Sequence, residues 1–206
     1  LVKYNINRVD RLLGNESLHH GIPLIFRNII SMLTSQLSLC VIAVDWSGYP
    51  SQEHHVLRAS LICDGRPIPL LSWIVPSEKQ QNAKVQQAFL NTLAEAVNPK
   101  ARVIIVTDAG FQNAWFRHIK SPGWDFIGRI RGNTQMRLNS KGEYWLRRQE
   151  LRASSKPEYP GPGTLARSEY AQCDGHFYLH KKTPKGRKNK RSRCGITRPS
   201  QVKDAR

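Results

Sequence analysis

Acidic side chains are scarce in this 206-residue sequence: 15 Asp and Glu stand against 32 Lys and Arg, a formal charge of +17 with an isoelectric point near 10.2. Such a surplus repels itself unless a polyanion is a regular partner, so nucleic acid is the expected ligand class. Cysteine is sparse as well. Cys40, Cys63, Cys173 and Cys194 make no C-x-x-C pair, and no basic stretch at the N-terminus leads into an apolar run with a small-residue cleavage site; reduced thiols in the cytoplasm are expected. The most apolar region, Ile22 to Val44, is broken by Arg27, Asn28 and Gln36, short of the roughly 18 uninterrupted apolar residues of a bilayer-spanning helix. Neither a G-x-S-x-G elbow nor a Gly-rich phosphate loop occurs. The chain opens on Leu1 rather than methionine, which gives the expectation of a start inside a longer reading frame.

What is present suffices for one core, with 39% apolar and 8% aromatic side chains. Charge is unevenly spread: residues 1–132 hold 14 basic and 9 acidic side chains, residues 133–206 hold 18 and 6. The last part, Lys181 to Arg206, has 11 Lys or Arg against Asp204 alone and no apolar periodicity, and reads as a solvated arm or part of an interrupted domain.

Ile6, Val9 and Leu13 share a helical stripe ending at Gly14, and Pro23 suits the first turn of a second helix carrying Phe26, Ile29, Ile30 and Leu33. LCVIAV at 39–44 reads as a buried strand ending in Asp45. Two strands follow, His54 to Cys63 and Pro67 to Val75, joined by the hairpin-forming pair Asp64-Gly65. Ser77 and Gln80 form a capping box for a helix to about Val97. RVIIVT at 102–107 is a second buried strand, ending at Asp108; a helix at 114–119 and a strand from Trp124 to Ile130 come next. The order β-β-β-α-β-α-β predicts an α/β mixed sheet flanked by helices, of the ribonuclease H-like kind. Beyond Gly132, a loop at 157–163 and strands near Trp145 and Phe177-Tyr178-Leu179 suggest a smaller basic β-rich unit. Tryptophans 46, 73, 115 and 124 read as core residues rather than base-stacking ones.

Asp45 and Asp108 each follow a buried strand, where a carboxylate needs a counter-charge. A divalent metal supplies one, and carboxylates from neighbouring strand ends hold the ions that clamp a phosphodiester. The plainer reading is that each acid caps a strand-to-loop turn. Arg129 and Arg131 alternate along one predicted strand, so their side chains share a face toward phosphates, or else mark a solvated edge.

AVDWS at 43–47, VTDAGF at 106–111 and RIRG at 129–132, with NINRVDRLLGN at 5–15, LRASL at 57–61 and KGRKNKRS at 185–192, resemble bacterial DDE insertion-sequence transposases of the cut-and-paste composite-transposon group, insertion-sequence family four. The resemblance implies Asp45 and Asp108 as the first two metal-ligating carboxylates, with Mg²⁺ or Mn²⁺ as cofactor. It implies DNA contacts from Arg8, Arg11, Arg129, Arg131, Lys185, Arg187, Lys188, Lys190 and Arg191, and a nucleoid-associated location. The implied partners are double-stranded DNA, at transposon ends and target, and a second copy or a full-length transposase, with no membrane and no small-molecule substrate. The family's third acid lies in a Y-x2-R-x3-E-x6-K signature that is absent here. Tyr144 and Arg147 fit its first positions, but Leu151 stands where Glu should, with Glu150 one place off. The expected organisation is a helical remnant of the terminal-repeat-binding region at 1–36, an incomplete ribonuclease H-like core at 37–132 and a basic β-rich insertion with a mobile tail at 133–206. The expected function is that of a transposase fragment, the alternative a catalytically inactive DNA-binding remnant or inhibitor of the full-length enzyme. A third reading uses Cys173, His176, His180 and Cys194 as zinc ligands in an RNA-binding module.

Overall fold

The computed structural model describes residues 2–49, 53–130, 134–147, 150–151, 154–181, 189–191 and 197–199. Two helices, α1 (Val2–Leu13) and α2 (Glu16–Thr34), precede a hairpin-led sheet. The side chain of Asn15 accepts a hydrogen bond from the Leu18 amide at 3.0 Å, and this cap starts α2 seven residues before the expected Pro23, which lies inside the helix. Among α1 residues, Ile6, Val9, Leu12 and Leu13 are each more than half exposed; the stripe is helical but lies outside the core.

Strands β1 (Leu39–Tyr49), β2 (His54–Cys63) and β3 (Arg66–Pro76) form an antiparallel meander. Asp64 and Gly65 take φ of 44° and 76° in the β2–β3 turn, the conformation for which Asp-Gly is suited in a two-residue hairpin. Strands β4 (Arg102–Thr107) and β5 (Asp125–Gly128) join in parallel, giving the order β3-β2-β1-β4-β5. Helix α3 (Ala83–Ala94) connects β3 to β4, and α4 (Asn113–Lys120) connects β4 to β5. Cys40, Ile42, Val44, Val103 and Ile105 alternate inward and are buried with Phe89 and Leu93 of α3 and Trp115 and Phe116 of α4. Phe116 stacks on Phe126 of β5 at 4.6 Å between centroids.

Ser77 is not the cap of α3. Ser77–Lys79 forms a single 3-10 turn, Gln81 takes a left-handed φ of 63°, and Asn82 caps the helix by accepting from the Lys84 and Val85 amides. The expected strand to Ile130 stops at Gly128.

A second sheet, order β7-β6-β8-β9, contains β6 (Gln135–Leu138), β7 (Trp145–Arg147), β8 (Glu158–Leu165) and β9 (Cys173–Leu179). The expected loop at 157–163 is therefore mostly β8, whose prolines are accommodated by an irregular register between Glu158 and Gly161. Gly163 lies hard against the Arg137 backbone carbonyl, an approach that leaves no room for a side chain. Met136, Leu138, Leu165, Cys173 and Phe177 share the buried cluster of the first sheet. A short pair, β10 (Asn189–Arg191) with β11 (Thr197–Pro199), lies in the basic tail that carried no strand expectation.

Candidate active site

Asp45 and Asp108 arrive at the site by register. Parallel pairing of β1 and β4 runs from Leu39↔Arg102 to Val44↔Thr107, so each aspartate is the next residue beyond the same final pair, on strands spaced about 4.8 Å apart. Val44 points inward at 1% exposure, and alternation turns Asp45 to the opposite, solvent face. Both aspartates are exposed.

Asp45 does not end its strand, as had been expected. β1 continues to Tyr49 because β2 pairs with it as far as Tyr49↔His54; only the parallel partner departs at Val44. Turn-capping therefore cannot account for Asp45, which sits inside an antiparallel ladder where Asp is disfavoured. Its Oδ1 accepts from the Trp46 amide at 2.8 Å. Asp108 does behave as a turn residue with one oxygen, Oδ1 accepting from the Gly110 amide at 2.6 Å. Each carboxylate thus retains a second oxygen with no hydrogen bond among the described residues.

Directly opposite Asp45 on β2 is Arg58, and opposite Arg58 on β3 is Ser72. Paired residues share a face, so Asp45, Arg58 and Ser72 form one row across three strands. Arg58 donates from Nε to Ser72 Oγ at 3.1 Å and makes no ion pair with Asp45. On the same sheet, by contrast, Arg102 of β4 pairs with Asp125 of β5 at 2.8 Å. Sequence reasoning passed over Arg58 within LRASL; the strand alternation of His54–Cys63 could have placed it opposite Asp45.

The remaining predicted residues are dispersed. Arg8 and Arg11 are exposed on α1, and Arg129 is exposed one residue beyond β5. Arg131, Lys185, Arg187 and Lys188 lie outside the described residues, while Lys190 and Arg191 fall in β10. Trp115 is fully buried and Trp46, Trp73 and Trp124 pack partly buried against the core. The second sheet instead exposes a row of rings. Tyr159 lies 6.0 Å from His176 between ring centroids, their planes nearly parallel at 16°, and 5.0 Å from Tyr178, with Tyr159 Oη and His176 Nδ1 hydrogen-bonded at 2.5 Å. Arg137 lies over Trp145 on the same sheet.

The zinc arrangement is not assembled among the described residues. Cys173 is buried and His176 exposed on alternate sides of β9, Cys194 lies outside the described residues, and no group of three His, Cys, Asp or Glu gathers among the described ones. Glu150 accepts from the Arg147 amide at 3.2 Å, and among the described residues it does not gather with the aspartates into a group of three.

A family model, described as transposase DDE domain, matches residues 36–200. The chain belongs to the DDE-domain transposases. No curated protein matches it significantly. Among solved structures, the crystal structure of the Aquifex aeolicus member of the Ppx/GppA protein family is similar over 45% of this chain and 35% of that one, at 16% identity and a TM-score of 0.24. That likeness is too slight to bear on the transposase fold. The family match spans the mixed five-stranded sheet, both aspartates and the second sheet. Among the described residues, no helix of this transposase-family chain is long and apolar enough to cross a membrane.

Two exposed carboxylates, each with an oxygen to spare and neither paired with a cation among the described residues, are a donor set suited to one hard divalent ion. Mg²⁺ in phosphoryl-transfer sites commonly takes one or two carboxylates and completes its shell with water and phosphate oxygens.

Proposed function

We propose that this chain is the sheet core of a cut-and-paste insertion-sequence transposase, built on a ribonuclease H-like plan with a basic β-rich insertion. The carrying observation is the register that sets Asp45 and Asp108 immediately after the same parallel pair, Val44↔Thr107. Sheet order β3-β2-β1-β4-β5, antiparallel first and parallel after, supports the plan.

In this reading Asp45 and Asp108 hold Mg²⁺ or Mn²⁺ through their uncommitted oxygens. Bound there, the metal would activate the attacking oxygen and neutralise charge on the phosphodiester. The protein's own contribution is placement. The backbone amides of Trp46 and Gly110 orient the two carboxylates, and the stiff strand pair keeps them level. The basic surface binds the duplex: α1 with Arg8 and Arg11, Arg129 beyond β5, and the second sheet with Arg137, Arg147 and its exposed rings supply affinity that depends on counterion release and does not read sequence. The substrates are transposon-end and target DNA, and a second copy or a full-length transposase is the protein partner.

A specific observation favours a second reading. No third metal-ligating side chain joins the aspartates among the described residues, which suits a DNA-binding remnant that lacks cleavage activity and interferes with complete transposase. Incubating the full chain with supercoiled and terminal-repeat DNA in Mg²⁺ or Mn²⁺ separates the two. Metal-dependent nicking that disappears in Asp45→Ala and Asp108→Ala supports the enzyme. Salt-sensitive binding with no nicking in any variant supports the remnant, and absence of DNA binding overturns both.

A further inference from the structure

We propose that Arg58 is a phosphate-binding residue of the aspartate site, held in its working orientation by Ser72. The inference rests on the metal-site reading of Asp45 and Asp108 and adds a substrate contact to it.

An arginine directly across an antiparallel pair from an aspartate has an obvious partner: their Cβ atoms are about 4.5–5.5 Å apart and opposite charges there attract. Arg58 and Asp45 are such a pair, yet the guanidinium turns the other way and gives its Nε to Ser72 Oγ at 3.1 Å. Two strands away, Arg102 and Asp125, which are not even register partners on the parallel strands β4 and β5, do bridge, at 2.8 Å. The difference has a consequence. Among the described residues Asp45 is left without a cation, which suits a metal ligand, while Arg58 keeps its two terminal nitrogens available beside it. Because Nε is committed sideways to β3, the outer edge of the guanidinium is left to face the solvent over the sheet.

A planar fork of donors one strand away from a pair of hard carboxylates suits a phosphodiester. An oxygen of the phosphate group reaches the metal held by the aspartates while another oxygen, or the adjoining phosphate, accepts from Arg58. Lysine at this position would keep the charge but lose the fork and the Ser72 bond. Ser72 acts through Arg58 alone, as a positioning residue.

The test measures binding of a short fluorescein-labelled duplex to the full chain by anisotropy, across a salt series, with and without Mn²⁺. Wild type is compared with Arg58→Ala, Arg58→Lys, Ser72→Ala and Arg66→Ala, the last removing an exposed charge at the far hairpin end of the same two strands. Expected are a Mn²⁺-dependent gain in wild-type affinity, a roughly tenfold loss of Mn²⁺-supported affinity in Arg58→Ala, and a salt slope lower by about one. Arg58→Lys recovers the slope without the full affinity. Ser72→Ala loses about two- to threefold, and combining it with Arg58→Ala adds nothing further. If Arg58→Ala matches Arg66→Ala while the Mn²⁺-dependent gain persists, Arg58 contacts no phosphate and the proposal is overturned with the metal site intact. If wild type shows no Mn²⁺-dependent gain, the metal-site reading itself fails and takes the proposal with it.

Discussion

Asp45 and Asp108, 63 positions apart in the chain, each stand one residue beyond Val44↔Thr107, the pair that closes the parallel pairing of β1 and β4. Beyond that pair the strands part, β1 continuing along β2 and β4 turning into the loop before α4. The carboxyl ends of parallel strands, where both acids stand, are the edge at which α/β sheets characteristically place their ligands. One ion shared between two carboxylates makes their loss non-additive. Asp45→Asn and Asp108→Asn should each weaken Mn²⁺ binding by at least about tenfold, and the double variant should be little worse than either alone. Calorimetric titration of Mn²⁺ into the full chain checks this, with Asp64→Asn, on the hairpin turn, expected to bind like wild type.

Much of this geometry was legible in the residues. LCVIAV and RVIIVT declare buried strands by composition, Asp64-Gly65 declares a hairpin, and the acids follow at the expected places. The misses share a physical origin in tertiary pairing. Nothing in Trp46-Ser47-Gly48-Tyr49 has the apolar run of a buried strand, yet β2 supplies partners and β1 extends. Pro157, Pro160 and Pro162 argue against a sheet, yet a register irregularity and the close approach at Gly163 admit β8 between β6 and β9. Arg58 was unremarkable within LRASL until its partners on both flanking strands were known.

The cap of α3 provides a test of local reading against structure. Ser77 with Gln80 matches a capping-box pattern, but Asn82 accepts the hydrogen bonds of the first helical amides, at 2.9 Å from Lys84 and 3.3 Å from Val85. Asn82→Ala should destabilise by about 1 kcal/mol, while Ser77→Ala should stay within about 0.5 kcal/mol of wild type. Denaturant unfolding of the two variants decides it; equal effects would return the cap to Ser77.

Gly163 sits where any Cβ meets the carbonyl of Arg137, a backbone atom that cannot swing away. Gly163→Ala should therefore cost about 1–3 kcal/mol by overpacking, lowering the melting temperature by about 2–4 °C for each kcal/mol in a chain of this size. A wild-type melting temperature for this variant would mean that β6 and β8 are not so closely apposed.

Thr107, the residue before Asp108, is 7% exposed and its hydroxyl has no hydrogen-bond partner among the described residues. An orphaned buried hydroxyl costs about 1–3 kcal/mol relative to a satisfied one, so Thr107→Val, nearly the same shape without the polar atom, should hold or raise the melting temperature. Mn²⁺ binding should be retained, since the carboxylates keep their backbone anchors. A large loss of stability would show that the hydroxyl is hydrogen-bonded in solution.

Alkaline pH should weaken the fold through its buried thiols. Burial, and secondarily the neighbouring Cys63, push the Cys40 thiol above its ordinary range, and burial does the same to Cys173. Once pH exceeds the ordinary thiol pKa of about 8.5, the unfolded chain releases protons that the folded chain still holds. Unfolding then gains with every further rise in pH, so the stabilisation is complete below that value and drains away as pH climbs through the raised folded pKa. Thermal midpoints recorded from neutral to strongly alkaline pH should decline less steeply for Cys40→Ala than for wild type, whatever the variant's starting stability. Parallel declines would mean that the Cys40 thiol ionises alike in the folded and unfolded chains and that β1 does not bury it.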